Sequence, residues 1–254
     1  MFELWYLFPV GLLIAIIATM AGTGAAILLT PFLILVAGVN PLTAIFAALI
    51  VELLGFSTGI FSYWRNKEID FDVVQSLVWW VVPATIVGVL LSHLFSTIII
   101  IMIILISVYL VYKFLIKKPT IELISDSEVD FGLQATASTG GFCMGLVSSG
   151  LGETAEYIFL DKLKMPTTIA NGTSILLIVL SAAGGVAAHS TFLFFTGQLS
   201  IFQEITTILL FTIPGVILGS HAGIRAVQIV SETTLRLFLG TLFAIVAGAL
   251  IITF

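Results

Sequence analysis

Glu52, Glu153 and Glu156 are the residues of this sequence best suited to chemistry, because each lies within or beside a long apolar run. An acid inside a membrane is expensive, faces the protein interior and marks the course of a proton, ion or substrate. In the stretch "GLVSSGLGETAEYIFLDK", Glu153 and Glu156 are three residues apart and share one helical face. Glu153 also stands in the first turn of its helix, where the dipole stabilises a carboxylate, so a self-capping role is the alternative there. Glu52 lies deep within Leu42 to Trp64 and has no helix end of its own to cap, which leaves a hydrogen-bonded structural acid as the alternative. No Lys or Arg occupies the centre of any apolar run. Acids without a basic partner at low dielectric can exchange protons near neutral pH, which makes all three candidates for proton coupling.

Two Gly-x-Gly turns accompany these acids. Gly22-Thr23-Gly24 and Gly150-Leu151-Gly152 each separate one apolar run from a fresh one. Glycine lets a helix unwind, and unwound backbone at membrane depth survives only when buried in protein or lining a watered cavity. A half-helix starting at such a turn aims free N–H groups and the positive end of its dipole at whatever lies ahead. Gly22, Thr23, Gly24, Gly150, Leu151 and Gly152 are therefore candidate contacts for a small anion, with close helix packing as the alternative. Asn171 and Ser174 share a helix face and have the chemistry to hydrogen-bond either a substrate or a neighbouring helix. His93, His189 and His221 lie near run ends without metal-ligand spacing, and Cys143 stands alone. The histidines suit interfacial or packing roles, Cys143 suits packing, and no metal, cofactor or disulfide is expected. There is no Walker-type glycine loop. "VSSGLG" lacks the Gly-x-Ser-x-Gly of a serine hydrolase, so no enzyme is expected.

The elements that must position these residues are membrane helices. Of 254 residues, 59% are hydrophobic and 9% charged, and mean hydropathy is +1.23, whereas a soluble domain has about a quarter of its residues charged. The sequence predicts an all-α integral membrane protein whose environment is the lipid bilayer; nucleic acid is not an expected partner, and a homodimer is the assembly left open. The opening "MFELWYLF" has Glu3 where a signal peptide carries basic residues, so it reads as a first membrane segment.

The chain also repeats itself. Gly22-Thr23-Gly24 matches Gly150-Leu151-Gly152 at an offset of 128 residues, Gly59 matches Gly185, and Pro83 with Gly88 matches Pro214 with Gly219 at an offset of 131. The expected organisation is an N-terminal repeat over 1–116, a polar linker over 117–130 and a C-terminal repeat over 131–254. The first repeat divides into Leu4 to Ala21, Ala25 to Gly38, Leu42 to Trp64, Val73 to Ser92 and Thr97 to Ile116. The second divides into Phe131 to Ser149, Glu153 to Leu163, Thr168 to His189, Ile205 to Ile224 and Thr233 to Phe254. Five segments per repeat invert the second relative to the first. That arrangement puts all nine Lys and Arg residues on one side: Arg65, Lys67, Lys113, Lys117, Lys118, Lys162, Lys164, Arg225 and Arg236. By the positive-inside rule the linker is then cytoplasmic and both termini are outside. The glycine-broken segments, discontinuous or re-entrant, would meet near the midplane.

The runs "GTGAAILLTPFLIL" and "GLGETAEYIFL", with "IANGTSILL" after the second, resemble the two half-motifs of the TauE/SafE sulfite exporter family, also called the 4-toluene sulfonate uptake permeases. Ala170, Thr173 and Ser174 match that family's "A-x-x-T-S" helix, which adds Thr173 to the candidate substrate contacts. The first repeat departs from the pattern, with "AIFAALI" at that place. The resemblance implies a secondary transporter in the plasma membrane that moves a small sulfur oxyanion or organosulfur anion of the sulfite, sulfonate or sulfoacetate class by alternating access. The alternatives are a transporter of a cationic or non-sulfur metabolite and a passive anion channel.

Overall fold

Helices begin where polar side chains can take up their first N–H groups. A computed structural model describes residues 4–21, 24–116, 129–198, 200–226, 230 and 232–253. Among these are ten α-helices and no strand: α1 (Leu7–Ala21), α2 (Ala26–Leu35), α3 (Pro41–Arg65), α4 (Phe71–Leu94), α5 (Ser96–Val111), α6 (Phe131–Val147), α7 (Leu151–Glu156), α8 (Thr167–Thr196), α9 (Ser200–Ala226) and α10 (Glu232–Thr253). Asn40 accepts a hydrogen bond from the Leu42 N–H at 3.0 Å, Asp70 from those of Asp72 and Val73 at 3.1 Å each, and Asp130 from that of Leu133 at 2.8 Å. These caps answer the orphan donors of helix starts. Two helices widen into π-helical turns, α5 over Tyr112–Ile116 and α7 over Tyr157–Lys162.

Among the described residues, six helical stretches are long and apolar enough to cross a membrane: Pro41–Arg65, Phe71–Leu94, Ile98–Ile116, Thr167–Thr196, Ser200–Gly223 and Thr234–Thr253. α1 and α2, of 15 and 10 residues, are shorter. Several boundaries differ from the sequence-based reading, α9 among them, which begins at Ser200 rather than Ile205. α8 does not stop at His189 but continues through the apolar Phe192–Phe195 stretch to Thr196, where Gly197 at φ 72° ends it. The expected loop at residues 190–204 is therefore largely helical. The short second-repeat helix begins at Leu151 rather than Glu153, and only its first six residues are α-helical. Gly22, Thr23 and most of the linker, including Lys117 and Lys118, lie outside the described residues.

Packing is crosswise between the two halves of the chain. α1 lies along α9 and α6 along α4, while α3 meets α8 and α5 meets α10. Small residues let these pairs approach closely. A β-carbon on Gly145 of α6 would overlap the Thr85 carbonyl and come within 2.9 Å of the Val89 nitrogen, and one on Gly11 of α1 would sit 2.9 Å from the Thr212 carbonyl. Gly248 of α10 meets nothing within 4 Å. Gly145→Val should therefore cost about 1 to 3 kcal/mol or more through overpacking, and Gly248→Val close to nothing. Thermal unfolding in detergent checks this; equal melting temperatures for the two variants would contradict the helix contacts described.

Candidate functional site

The middle of the bundle contains two helix starts, and the sequence explains both. After Gly24, Ala25 adopts helical dihedrals without a side chain able to cap, so the free N–H of α2 depends on an acceptor from elsewhere. Glu52 supplies it. From the middle of α3, at 4% exposure, its Oε1 accepts a hydrogen bond from the Ala26 N–H at 3.3 Å. A β-carbon on Gly24 would collide with that same Oε1, so the glycine is what admits the carboxylate. The α2 end is thus capped by the side chain of an acid from another helix.

The second start follows α6. Ser148 at φ 58° and Gly150 at φ 110° turn the chain into α7, and a β-carbon on Gly150 would lie 2.7 Å from the Cys143 β-carbon. The left-handed backbone that only glycine adopts cheaply is therefore at Gly150. Gly152 has room for a side chain: its β-carbon would sit 3.6 Å from the Gly24 nitrogen and 3.8 Å from Ile178 Cδ1. Those distances bring the Gly24 and Gly152 backbones together. A hydroxyl pair joins the same regions, Thr30 Oγ1 of α2 lying 2.5 Å from Ser148 Oγ. Both hydroxyls are buried, and the sequence-based reading singled out neither.

Glu52, Glu153, Gly24, Gly150, Leu151 and Gly152 all line one cavity of about 10 Å³, room for one water. Glu153 is 8% exposed, and its Oε1 has no hydrogen-bond partner among the described residues. Asn171 and Ser174 line a separate cavity of about 80 Å³ with Thr19, Phe56 and Tyr63, and Ile178 borders both cavities. Thr173 is fully buried and already engaged, its hydroxyl accepting from the Asp70 N–H at 3.0 Å. Glu156 is drawn away to an ion pair, Oε2 lying 2.6 Å from Lys113 Nζ. The absence of a base from the run centres hid this pairing, because Lys113 reaches Glu156 from the π-helical end of α5.

The histidines also pair unexpectedly. His93 Nε2 lies 2.8 Å from His189 Nδ1, with His189 stacked on Phe46 at 5.1 Å and Phe192 on His93 at 3.9 Å between ring centroids. This aromatic cluster is at the end of the bundle opposite Arg65 and Lys113, because Phe46 is near the start of α3 and Arg65 at its finish. Among the described residues, no group of three or more His, Cys, Asp or Glu is placed to hold a metal ion.

Gly150→Ala should destabilise the fold by roughly 1 to 3 kcal/mol, from the left-handed backbone and the Cys143 contact, while Gly152→Ala should be near neutral. Thermal melting of the two purified variants tests the assignment; a larger loss at Gly152 would place the strained turn elsewhere.

With this geometry in view, comparisons with known proteins are informative. No solved structure matches the chain. It is 27% identical over 233 residues to the probable membrane transporter protein YjnA of Bacillus subtilis (strain 168), an alignment covering 85% of this chain and 88% of that protein. The family described as sulfite exporter TauE/SafE matches residues 7–250, nearly the whole chain. The protein therefore belongs to the TauE/SafE sulfite exporter family, and is a membrane transporter rather than an enzyme.

Proposed function

We propose that this transporter carries a small sulfur oxyanion or organosulfur anion across the plasma membrane by alternating access, together with a proton. The observation that carries the reading is the convergence of two helix starts, at Gly24 and at Gly150 to Gly152, on one closed cavity between Glu52 and Glu153. An ionised Glu153 repels an anion approaching that centre, and its buried Oε1, unpartnered among the described residues, is costly to leave charged. A proton on Glu153 removes both penalties. Proton and anion then bind cooperatively, and each must strengthen the other by the same factor. Glu52 is the second candidate carrier. Gly22 and Thr23, beside Gly24 in sequence, are further candidate contacts; Asn171 and Ser174 line the neighbouring cavity, Thr173 supports that helix through its bond with the Asp70 backbone, and Glu156 is a further candidate for proton exchange.

The crosswise packing of α1 with α9 and of α6 with α4 supports inverted repeats, since each half then covers the corresponding helix of the other. The placement of Pro83 with Gly88 in α4 and Pro214 with Gly219 in α9 supports the same relation. In this reading the basic end of the bundle is cytoplasmic, the termini are outside, and the Phe46, His93, His189 and Phe192 cluster seals the outer side. A second reading, transport of a cation, is favoured by one feature: the central cavity has two acids and no base among its lining residues.

Sulfite flux into proteoliposomes of the purified protein, run beside a primary amine of similar size, separates the two readings; amine flux without sulfite flux would overturn the first. In an anion transporter, an inward proton gradient should accelerate wild-type flux, while Glu153→Gln should respond little to pH or gradient. Full gradient dependence in both Glu153→Gln and Glu52→Gln would remove the acids from coupling. For orientation, a cysteine at Thr196 should react with an impermeant thiol reagent in intact cells and one at Ser125 should not, each in a Cys143→Ser background.

A further inference from the structure

A second cavity among the described residues is much larger than the central one. It has a volume of about 350 Å³ and is walled by α5, α6 and α7, with Ile106, Tyr109 and Tyr157 as its apolar body and Thr136, Thr139 and Thr154 as hydroxyl-bearing walls. Pockets of this size accommodate small organic molecules. Gly150 and Glu153 line both this cavity and the central one, so these two residues form the partition between them. Glu153 brings to that partition a carboxyl oxygen that is buried and without a partner among the described residues.

An ion pair neighbours the lining residues in sequence without itself lining the cavity. Lys113 follows the lining residue Tyr109 by one helical turn, and its partner Glu156 follows Glu153 by three residues and precedes the lining residue Tyr157. The ammonium is largely buried, at 19% side-chain exposure, whereas the Glu156 carboxylate is 39% exposed. The position of Lys113 is fixed from behind by Arg236, which donates to the Lys113 carbonyl at 3.1 Å. Lys113 lies within one π-helical turn, Tyr112–Ile116, and the other, Tyr157–Lys162, begins immediately after Glu156. Such turns are rare and frequent at functional sites.

A buried ammonium held by a half-exposed carboxylate can change partners at little cost, because an incoming anion replaces one charge-assisted hydrogen bond with another. The released Glu156 can turn to water. We infer that the α5–α6–α7 cavity is a vestibule for a small organic anion, in which Lys113 receives the anionic group in exchange for Glu156 while an apolar body lies against Tyr109 and Tyr157. This deepens the transport reading above and rests on it. The anion waits one residue layer from the central cavity, and Glu153 admits it only when that carboxyl is neutral.

Cys143 lines this cavity and is the sole cysteine of the chain, which makes it a built-in reporter. In proteoliposomes of the full chain, the rate of Cys143 alkylation by N-ethylmaleimide is measured with benzenesulfonate, with phenyltrimethylammonium as a cation of similar size, and with chloride at equal ionic strength. Benzenesulfonate alone should slow the reaction. Lys113→Gln should raise the concentration needed for protection about tenfold, the worth of one charge-assisted pair, without changing the unprotected rate; Lys113→Arg should retain protection. Glu156→Gln should lower that concentration, because it removes the competing carboxylate, a change that loss of a structural ion pair would not produce. Unaltered protection in Lys113→Gln, protection by the cation, or slow labelling under every condition, as in a lipid-filled crevice, would each overturn the inference. Sulfite flux in the same vesicles keeps the two readings apart: flux without protection leaves transport standing and removes the vestibule, and protection without flux does the reverse.

Discussion

Everything at the centre of this protein depends on one hydrogen bond, from the Ala26 N–H to the Glu52 carboxylate. In hydrocarbon, backbone donors must be satisfied within the protein or by water in a protein cavity, and a helix that starts in the interior exposes such donors. α2 starts there without a capping side chain of its own. Glu52 reaches it from a neighbouring helix, and the absence of a β-carbon at Gly24 gives the carboxylate its place. The expensive acid and the expensive helix start thus offset each other.

The second interior start uses a different economy of groups. Ser148 and Gly150 adopt left-handed backbone, the Ser148 hydroxyl meets Thr30 of α2 at 2.5 Å, and Glu153 is carried within the first turn of α7 itself. The two turns are then held against each other, Gly152 facing Gly24 and Ser148 facing Thr30. Residues from both halves of the chain enclose the cavity between them.

Much of this arrangement was legible in the sequence because it follows from the bilayer. Apolar run length gives the crossing helices directly, and the Gly-x-Gly turns, Glu52 and Glu153 stand out as departures from apolarity that a membrane protein retains only with a reason. What escaped notice was pairing between residues far apart in the chain. His93 and His189 are 96 positions apart, Thr30 and Ser148 are 118 apart, and Lys113 and Glu156 are 43 apart. No periodicity encodes such contacts; they arise when helices cross. The misplaced end of α8 has a local cause instead: His189 looks like a boundary because it is polar, but it is buried against His93 and Phe46, and the stop signal lies further on at Gly197. Thr173 matches a motif, yet its buried hydroxyl is committed to the Asp70 backbone, a use that sequence spacing does not distinguish from binding.

The two central acids differ in how their charge can be changed. Glu52 faces α2 from another helix, so its bond with the Ala26 N–H depends on how α3 sits against α2. Glu153 belongs to the first turn of the helix whose end it faces and moves with it; only a proton or a counter-charge alters the field it presents. An inverted duplication would otherwise give two equivalent half-sites with no preferred order of events. In the transport reading proposed above, one acid on a long crossing helix and the other on a short interior one would answer differently to helix movement and to occupancy. A carrier has to make its conformational change depend on what is bound, and this asymmetry provides the two unlike responses that such a dependence requires.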